Sequence, residues 1–458
     1  MIRRAMTGVP SSGHRRQATL CPKRKNPTKA VSLLLAFFWL SINGHAPLAQ
    51  TLNCDSDFVR FLGVAIEVLP TGSNDADNIE CALREASRLD SRLVTLRASS
   101  YRVERPISVV NFRGNIEGVT RASTTIEFAE RSFDCAVYDS SRFDFSGSFV
   151  VDTANGLTFE QGVPGVRFLT MRAGRPCSSG NAFGMIAFRP SSGDCDQRTF
   201  FALVDRIDFE GSATSNQLIE SVSATSTAAP PCSLPPTGTL KVNQSTFTDI
   251  FSALGVSMVG GAQVDVNFNT FTNLVIPIQI ANANQNTTIV GNTFDMGSEG
   301  IQGVQGAISI GTFPGVSSPA MNRTVIHANT FFDRGTTTLG AFFVGHSARG
   351  TRQDSSFVIT QNIFDMRGPA ESVAVVILET NSGVIQNNSF RGNADVGIIL
   401  GREDGSNATV ADWSIVGNDF TGFNSRDSDM FFGPGTTGNV FGPNQTSSIT
   451  GRGNNVFP

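Results

Sequence analysis

A short motif recurs through the second half of the chain: a small or asparagine residue, any residue, then phenylalanine. It reads Ser245-Thr246-Phe247, Asn269-Thr270-Phe271, Asn292-Thr293-Phe294 and Asn329-Thr330-Phe331. It continues as Asn362-Ile363-Phe364, Asn388-Ser389-Phe390, Asn418-Asp419-Phe420, Asn439-Val440-Phe441 and Asn455-Val456-Phe457. The steps between the phenylalanines are 24, 23, 37, 33, 26, 30, 21 and 16 residues. A short minimum step with longer insertions marks a solenoid, in which each repeat buries its apolar face only against its neighbours. A propeller needs four strands at a steady period of about 40–45 residues, which these variable steps do not fit.

The order inside each repeat is constant. An alternating strand, such as Thr288-Ile289-Val290 or Phe357-Val358-Ile359, precedes the asparagine. The asparagine is expected to make the tight turn itself, because its side chain tolerates left-handed backbone and bonds locally. Phenylalanine then points inward on the next strand. After a loop comes a third strand, such as Ile276-Pro277-Ile278-Gln279-Ile280 or Gly397-Ile398-Ile399-Leu400. Period-two patterning puts one face in and one out. Such coils stacked about 4.8 Å apart form a parallel β-helix, with an asparagine ladder at the turn and a phenylalanine stack inside. The chain holds 36 Phe against 2 Tyr and 2 Trp. That bias suits a dry column with no partner for a hydroxyl or an indole N–H.

Upstream, Asp75 to Ala86 reads as an amphipathic helix with acids at its start, where the helix dipole favours them. Strand-like pieces Leu93-Val94-Thr95-Leu96, Tyr101-Arg102-Val103 and Asn115-Ile116-Glu117-Gly118-Val119 follow. This order resembles the opening of the pectin-lyase-like superfamily, the β-helix of pectate lyases, polygalacturonases and related proteins. The resemblance covers residues 70–458. It implies an all-β protein: a right-handed single-stranded parallel β-helix over 96–458, and an N-terminal cap over 50–95 with a helix at 75–88. It also implies a polysaccharide groove along the strand that follows the loop.

The first 49 residues carry eight Lys/Arg and no acid, and hold the apolar run Val31 to Ile42. They read as a signal peptide cleaved after Ala46 or Ala49, with an uncleaved anchor as the alternative. The mature protein is then expected to be secreted, periplasmic or at the cell surface, with no membrane contact. Without the leader, 35 − 8 = 27 basic residues face 39 acidic ones, a balance of −12. An acidic body whose one lysine is Lys241 argues against nucleic acid as a partner. Six cysteines remain: Cys54, Cys81, Cys135, Cys177, Cys195 and Cys232. An even count in an exported chain points to disulfides, and the local pairs Cys54–Cys81 and Cys177–Cys195 are expected. A zinc site is disfavoured, since no Cys-x-x-Cys occurs and the body's histidines are His327 and His346.

Aligning the third strands puts Val256, Met258, Ile278, Ile280, Ile308, Ile310, Phe342, Val344, Val376, Leu378, Ile398, Leu400, Met430 and Phe432 inward. The outward column then reads Ser257, Gln279, Ser309, Phe343, Ile377, Ile399 and Phe431. Phe343, Ile377, Ile399 and Phe431, with Arg349 and Asp404 beside them, are the candidate substrate-binding residues. His346, Glu379 and Arg402 come from three successive coils at nearly one place and are the candidate catalytic set. A glutamate between histidine and arginine suits a general base, or stabilises charge next to a sugar C5 proton. The alternative for these three is a surface ion ladder. Asp427 and Asp429 are either a calcium pair completed by a loop carbonyl or a solvated turn. No other cofactor is indicated.

Polygalacturonases carry Asn-Thr-Asp, Asp-Asp, Gly-His-Gly and Arg-Ile-Lys, and mannuronan epimerases carry Asp-Pro-His-Asp. This chain has no Asp-Asp, Arg-Ile-Lys or Asp-Pro-His-Asp, and Gly345-His346-Ser347 matches two of three positions. The expectation is an exported protein that binds and processes a polysaccharide by lyase, hydrolase or epimerase chemistry. The alternative is a non-catalytic glycan-binding or structural protein of the surface or envelope. The terminal Phe457-Pro458 offers no obvious cap, so open strand edges there are a route to an oligomer.

Overall fold

A computed structural model describes residues 54–456 except 90, 136–153, 180–181, 191–198, 212–217, 227–236, 259–260, 282–283, 297–305, 312–322, 334–341, 345–352, 368–371, 379, 402–409, 447 and 452–453. The fold is a right-handed parallel β-helix whose coils each contribute up to three strands. Among the described residues the first sheet has 15 strands, from Val59–Phe61 to Asn454–Val456. Val59–Phe61 runs antiparallel to Ala65–Val68. Ala65–Val68 then pairs in parallel with Leu93–Leu96, and that strand with Asn115–Gly118, and so on along the helix. The second and third columns of strands join in a 21-stranded sheet. In the coil around residue 270 they are Thr270–Thr272, after the turn, and Ile276–Ala281, after the loop.

The turn between the first and second columns explains the repeated motif. The left-handed residue is the one before the asparagine, not the asparagine itself: φ is 50° at Gln244, 58° at Phe268, 54° at Ala328, 57° at Gln361 and 54° at Asn387. The asparagine keeps ordinary backbone and spends its side chain on the next coil. Asn269 donates its backbone N–H to Asn292 Oδ1 at 2.8 Å, and its Nδ2 to the same oxygen at 3.0 Å and to the Val242 carbonyl at 2.9 Å. The same three bonds repeat at Asn292, Asn329, Asn362 and Asn388, and the column ends with Asn418 donating to Asn444. A buried amide left without partners is costly. Here each amide is satisfied by the coil on either side. Left-handed backbone costs a non-glycine residue roughly 1 kcal/mol, which these bonds offset.

Two copies of the motif lie elsewhere. Asn439 sits in the first-sheet strand Thr436–Phe441, where its Oδ1 accepts the Trp413 N–H at 2.9 Å. Asn444 takes the turn position of that coil instead. Asn455 likewise belongs to the strand Asn454–Val456.

Inside, the phenylalanines stack. From Phe209 through Phe247, Phe271, Phe294, Phe331, Phe364 and Phe390 to Phe420, successive ring centroids are 4.3–5.0 Å apart. Neighbouring planes differ by 3–12°. Such pairs add about 0.5–1.5 kcal/mol each beyond their burial.

The N-terminal end is built differently. The helix Ala76–Arg88 buries Ile79, Ala82, Leu83 and Ala86. Asp75, just before it, accepts the Thr71 N–H at 2.7 Å and the Arg102 N–H at 2.8 Å, tying the helix start to the second column. The Cys54–Cys81 disulfide closes this end, as the sequence suggests. The second bridge corrects the expectation: Cys177 bonds to Cys135, not Cys195. Phe133–Asp134 and Cys177–Ser179 pair as a short parallel sheet on adjacent coils. That brings the Cα atoms of Cys135 and Cys177 to 5.4 Å although 42 residues separate them. Stacking makes neighbours of residues one coil apart, whereas the sequence suggests neighbours nearby in the chain. Cys195 and Cys232 lie outside the described residues. Among those described, no helix is long and apolar enough to cross a membrane.

Candidate functional site

The third column of strands presents its outward face in strict register. Ser223, Gly255, Gln279, Ser309, Phe343, Val376, Ile399 and Phe431 stand side by side on successive coils. The inward row beside them is Ala224, Val256, Ile280 and Ile310 and, after the backbone of Val344 in the same register, Ile377, Leu400 and Phe432. Two expectations change. Gly255 rather than Ser257 stands beside Gln279. Ile377 is fully buried in the inward row, so it is not a substrate contact, and Val376 takes its outward place. The alternation runs in the opposite phase from the expectation, with Val375 and Ile377 inward and Val376 between them, and Ala374 is buried as well.

The face changes character along the helix. Thr158, Ala187 and Ser223 hold outward positions yet are buried. Gln279, Ser309, Val376, Ile399 and Phe431 are half-exposed. One ionisable residue lies at the boundary. Glu220 pairs in register with Gly184 and Ser252 at the strand's entry and is buried. Its carboxyl reaches over the next coil: a Cβ on Gly255 would lie 1.7 Å from Glu220 Oε1. Glycine at 255 therefore makes the space the carboxyl occupies.

Glu220 Oε1, Ser252 Oγ and Gln279 Oε1 are buried atoms with no hydrogen-bond partner among the described residues. The strands packed on Glu220 bring no cation near it. Ser252–Met258 has no charged residue, and Arg189, at the far end of Ala182–Arg189, is paired in register with Glu160. Burial alone raises the Glu220 carboxyl from 4.5 to about 8. A carboxyl that keeps its proton near neutrality is a hydrogen-bond donor rather than a charge.

Sequence reasoning missed Glu220, because a single glutamate among serines and alanines carries no motif. One signal was present. It is the only charged residue in the third-column strands from Leu218–Ser226 to Val373–Ile377.

Among the expected substrate-binding residues, Ile399 and Phe431 are outward and half-exposed. The Phe343 backbone pairs with Ser309 and Val376. His346, Glu379, Arg402, Arg349 and Asp404 lie outside the described residues. Asp427 and Asp429 do not form a pair. Asp427 is exposed, while Asp429 is buried and accepts from Ser425 Oγ at 2.8 Å, Thr446 Oγ1 at 2.8 Å and the Ser448 N–H at 3.1 Å. Those donors occupy the oxygens that calcium would need and fix the last coil. No cluster of three His, Cys, Asp or Glu suited to a metal occurs among the described residues.

No protein-family model matches the chain, and no curated protein matches it. Solved structures do. The A-module of mannuronan C-5 epimerase AlgE4 from Azotobacter vinelandii is 12% identical over 84% of this chain and 94% of that one, with a TM-score of 0.50. The Streptococcus pneumoniae surface adhesin PfbA is 12% identical over 79% and 89%, with a TM-score of 0.42. The catalytic unit of a GH87 alpha-1,3-glucanase from Streptomyces thermodiastaticus is 11% identical over 84% and 66%, with a TM-score of 0.39. At such identities the likeness is one of fold. The chain shares with them the right-handed parallel β-helix fold, and no single one of them is marked out.

Proposed function

We propose that the chain is an exported protein that binds a polysaccharide along the outward third-column face and processes it beside the ends of three of those strands. One observation carries this reading. Val344, Ile377 and Leu400 are register partners on successive coils. His346, Glu379 and Arg402 each follow one of these residues by two positions. Successive coils are about 5 Å apart, a spacing at which a glutamate can meet both a histidine and an arginine. Glu379 would then act as base or charge stabiliser, with Arg402 holding it ionised and His346 moving a proton.

Val376, Ile399 and Phe431 supply the apolar floor on which sugar rings pack. The paired cysteines and the basic, then apolar, leader support export. A second reading, a glycan binder without chemistry, is favoured by the same column, in which no acid stands between Gly255 and Phe431.

The test is a degradation screen on acidic and neutral glycans, following unsaturated ends by ultraviolet absorbance and hydrolysis by reducing-sugar release. Glu379→Gln is run in parallel. Turnover that falls by about a hundredfold or more in the variant supports the site. Turnover unaffected by the variant keeps an enzyme and discards these residues. Binding without turnover leaves the second reading.

A further inference from the structure

We infer that the polysaccharide taken by this face is uncharged; the inference rests on the reading above and narrows its chemistry to hydrolysis or to binding alone. The third-column strands from Leu218–Ser226 through Val373–Ile377 contain no lysine or arginine. The segments that continue the column, Val396 to Leu400, Ser428 to Phe432 and Ile449–Gly451, contain none either. A polyuronate brings one carboxylate per sugar. Seating it requires cations or aligned donors to replace the water each carboxylate gives up.

The described face offers a polyuronate none of these. It presents the Gln279 amide, the Ser309 hydroxyl and the apolar side chains of Val376, Ile399 and Phe431. Hydroxyls of a neutral sugar exchange hydrogen bonds with Ser309, since Gln279 Oε1 is buried, and its C–H faces pack on the apolar side chains. The described charges near the column add no free cation, since Arg426 at its entry is paired with Asp395 at 2.9 Å. Asp429 is buried under its own donors. Glu220, buried over Gly255 away from any cation, stays uncharged near neutral pH, so it does not repel a sugar either. The whole body after residue 49 has 27 basic and 39 acidic residues, so its long-range field repels a polyanion.

The consequence for the reaction is direct. Lyase and epimerase chemistry starts by removing a C5 proton that a neighbouring uronate carboxylate has acidified. A neutral sugar that carries no C6 carboxyl or ester has no such proton, so its turnover on this face means hydrolysis: water adds across the glycosidic bond, the leaving oxygen takes a proton, and reducing ends appear without unsaturation.

The test is binding of the full chain, by affinity electrophoresis and calorimetry, to soluble β-1,3-glucan, galactomannan and arabinan, and to polygalacturonate and alginate. The expected result is a neutral glycan bound at least about tenfold more tightly than either acidic one, with an affinity that salt does not change. Val376→Asp, which puts a charge in the middle of the face, should weaken that binding about tenfold while leaving the melting transition cooperative. Ser309→Lys should add salt-sensitive binding of polygalacturonate. Tighter binding of polygalacturonate or alginate by the unaltered chain overturns the inference and leaves the polysaccharide reading standing. Neutral-glycan binding indifferent to Val376→Asp also overturns it, because the glycan then sits elsewhere. No binding to any of the five overturns the polysaccharide reading, and the inference falls with it.

Discussion

The coils before Ser245 and those after it hold the same fold by different means. At the residue that follows the left-handed turn, the early coils carry Leu169 and Ile207, both fully buried. The later coils carry the asparagine column from Asn269 to Asn444. At the inward position one strand on, the early coils carry Tyr101, Ile126 and Met171, register partners of the later phenylalanines. Among the described residues, both disulfides and the helix belong to the early coils. There the outward third-column face is also buried, whereas from Gln279 onward it meets solvent. A mixed apolar core tolerates more than one register, so the early coils are pinned by covalent links and by packing on both faces. The later coils need no link, because each amide and each ring is matched to an identical one above and below.

The largest test of this contrast is Glu220, which sits where the two regions meet. Its carboxyl is raised from 4.5 to about 8 by burial. In the unfolded chain the proton leaves near 4.5; in the folded chain it stays until about 8. Across that window the folded state binds more protons than the unfolded one, so stability falls as pH rises. The full loss is on the order of 5 kcal/mol, all of it present above pH 8 and none below pH 4. Glu220→Gln removes the slope. Urea midpoints at pH 4, 6 and 8 should match the parent at the lowest pH and exceed it increasingly above. Parallel pH profiles for the two proteins would mean that the carboxyl is solvated and the face over Gly255 is open.

The next test lies inside the later coils. Asn362→Ala takes the acceptor from the Asn329 N–H and amide, and the donor from the Ile326 carbonyl. A loss of about 3 kcal/mol is expected from urea unfolding. Asn362→Leu restores the volume and should recover little of it, because the stranded polar groups remain. If Asn362→Leu proves as stable as the parent, the column is packing alone and the two regions do not differ in kind.

Much of this division was legible in the residues. The Asn-x-Phe spacing displayed the later coils because an identical contact repeated at each coil leaves an identical residue. The early coils repeat the geometry with different side chains, so Leu169 and Ile207 left no motif. Register errors arose where apolar residues run together. Val373 to Leu378 are all apolar, so the residues do not say which of Val376 and Ile377 is inward, and Asn439 mimics a turn from inside a strand. Glu220 was invisible for another reason. Its carboxyl fits because residue 255, one coil away, is glycine, and no local pattern joins the two positions.

A smaller effect is expected from the early coils' covalent link. Replacing Cys135 and Cys177 together by serine opens a loop of 42 residues and should cost about 2 kcal/mol. The T-shaped packing of Phe133 on Phe128 and Phe183 holds part of the geometry without the bond. The measurement is thermal unfolding with and without reductant: the parent should shift more on reduction than the double variant, whose remaining shift comes from the Cys54–Cys81 bridge. A parent indifferent to reductant would show that packing alone pins these coils.

The smallest effect is the most informative about why the asparagine column starts where it does. The Ile207 N–H already donates to Ser245 Oγ at 3.1 Å, so the hydroxyl acts as the column's first acceptor. Ile207→Asn would bring an amide oxygen to the Leu169 N–H on one side and an amide donor to Ser245 Oγ on the other, the same exchange Asn269 makes with Asn292. It gives up the burial of an isoleucine, worth about 2 kcal/mol, and gains two or three buried hydrogen bonds of about 1 kcal/mol each. The two nearly cancel, so a change within about 1 kcal/mol is expected by urea unfolding. The same substitution at the equally buried Ile359, which has no amide in register with it, should cost at least about 3 kcal/mol. Equal losses at the two sites would mean that the column stops at Ser245 because the early coils cannot hold it, rather than because their apolar turn already serves.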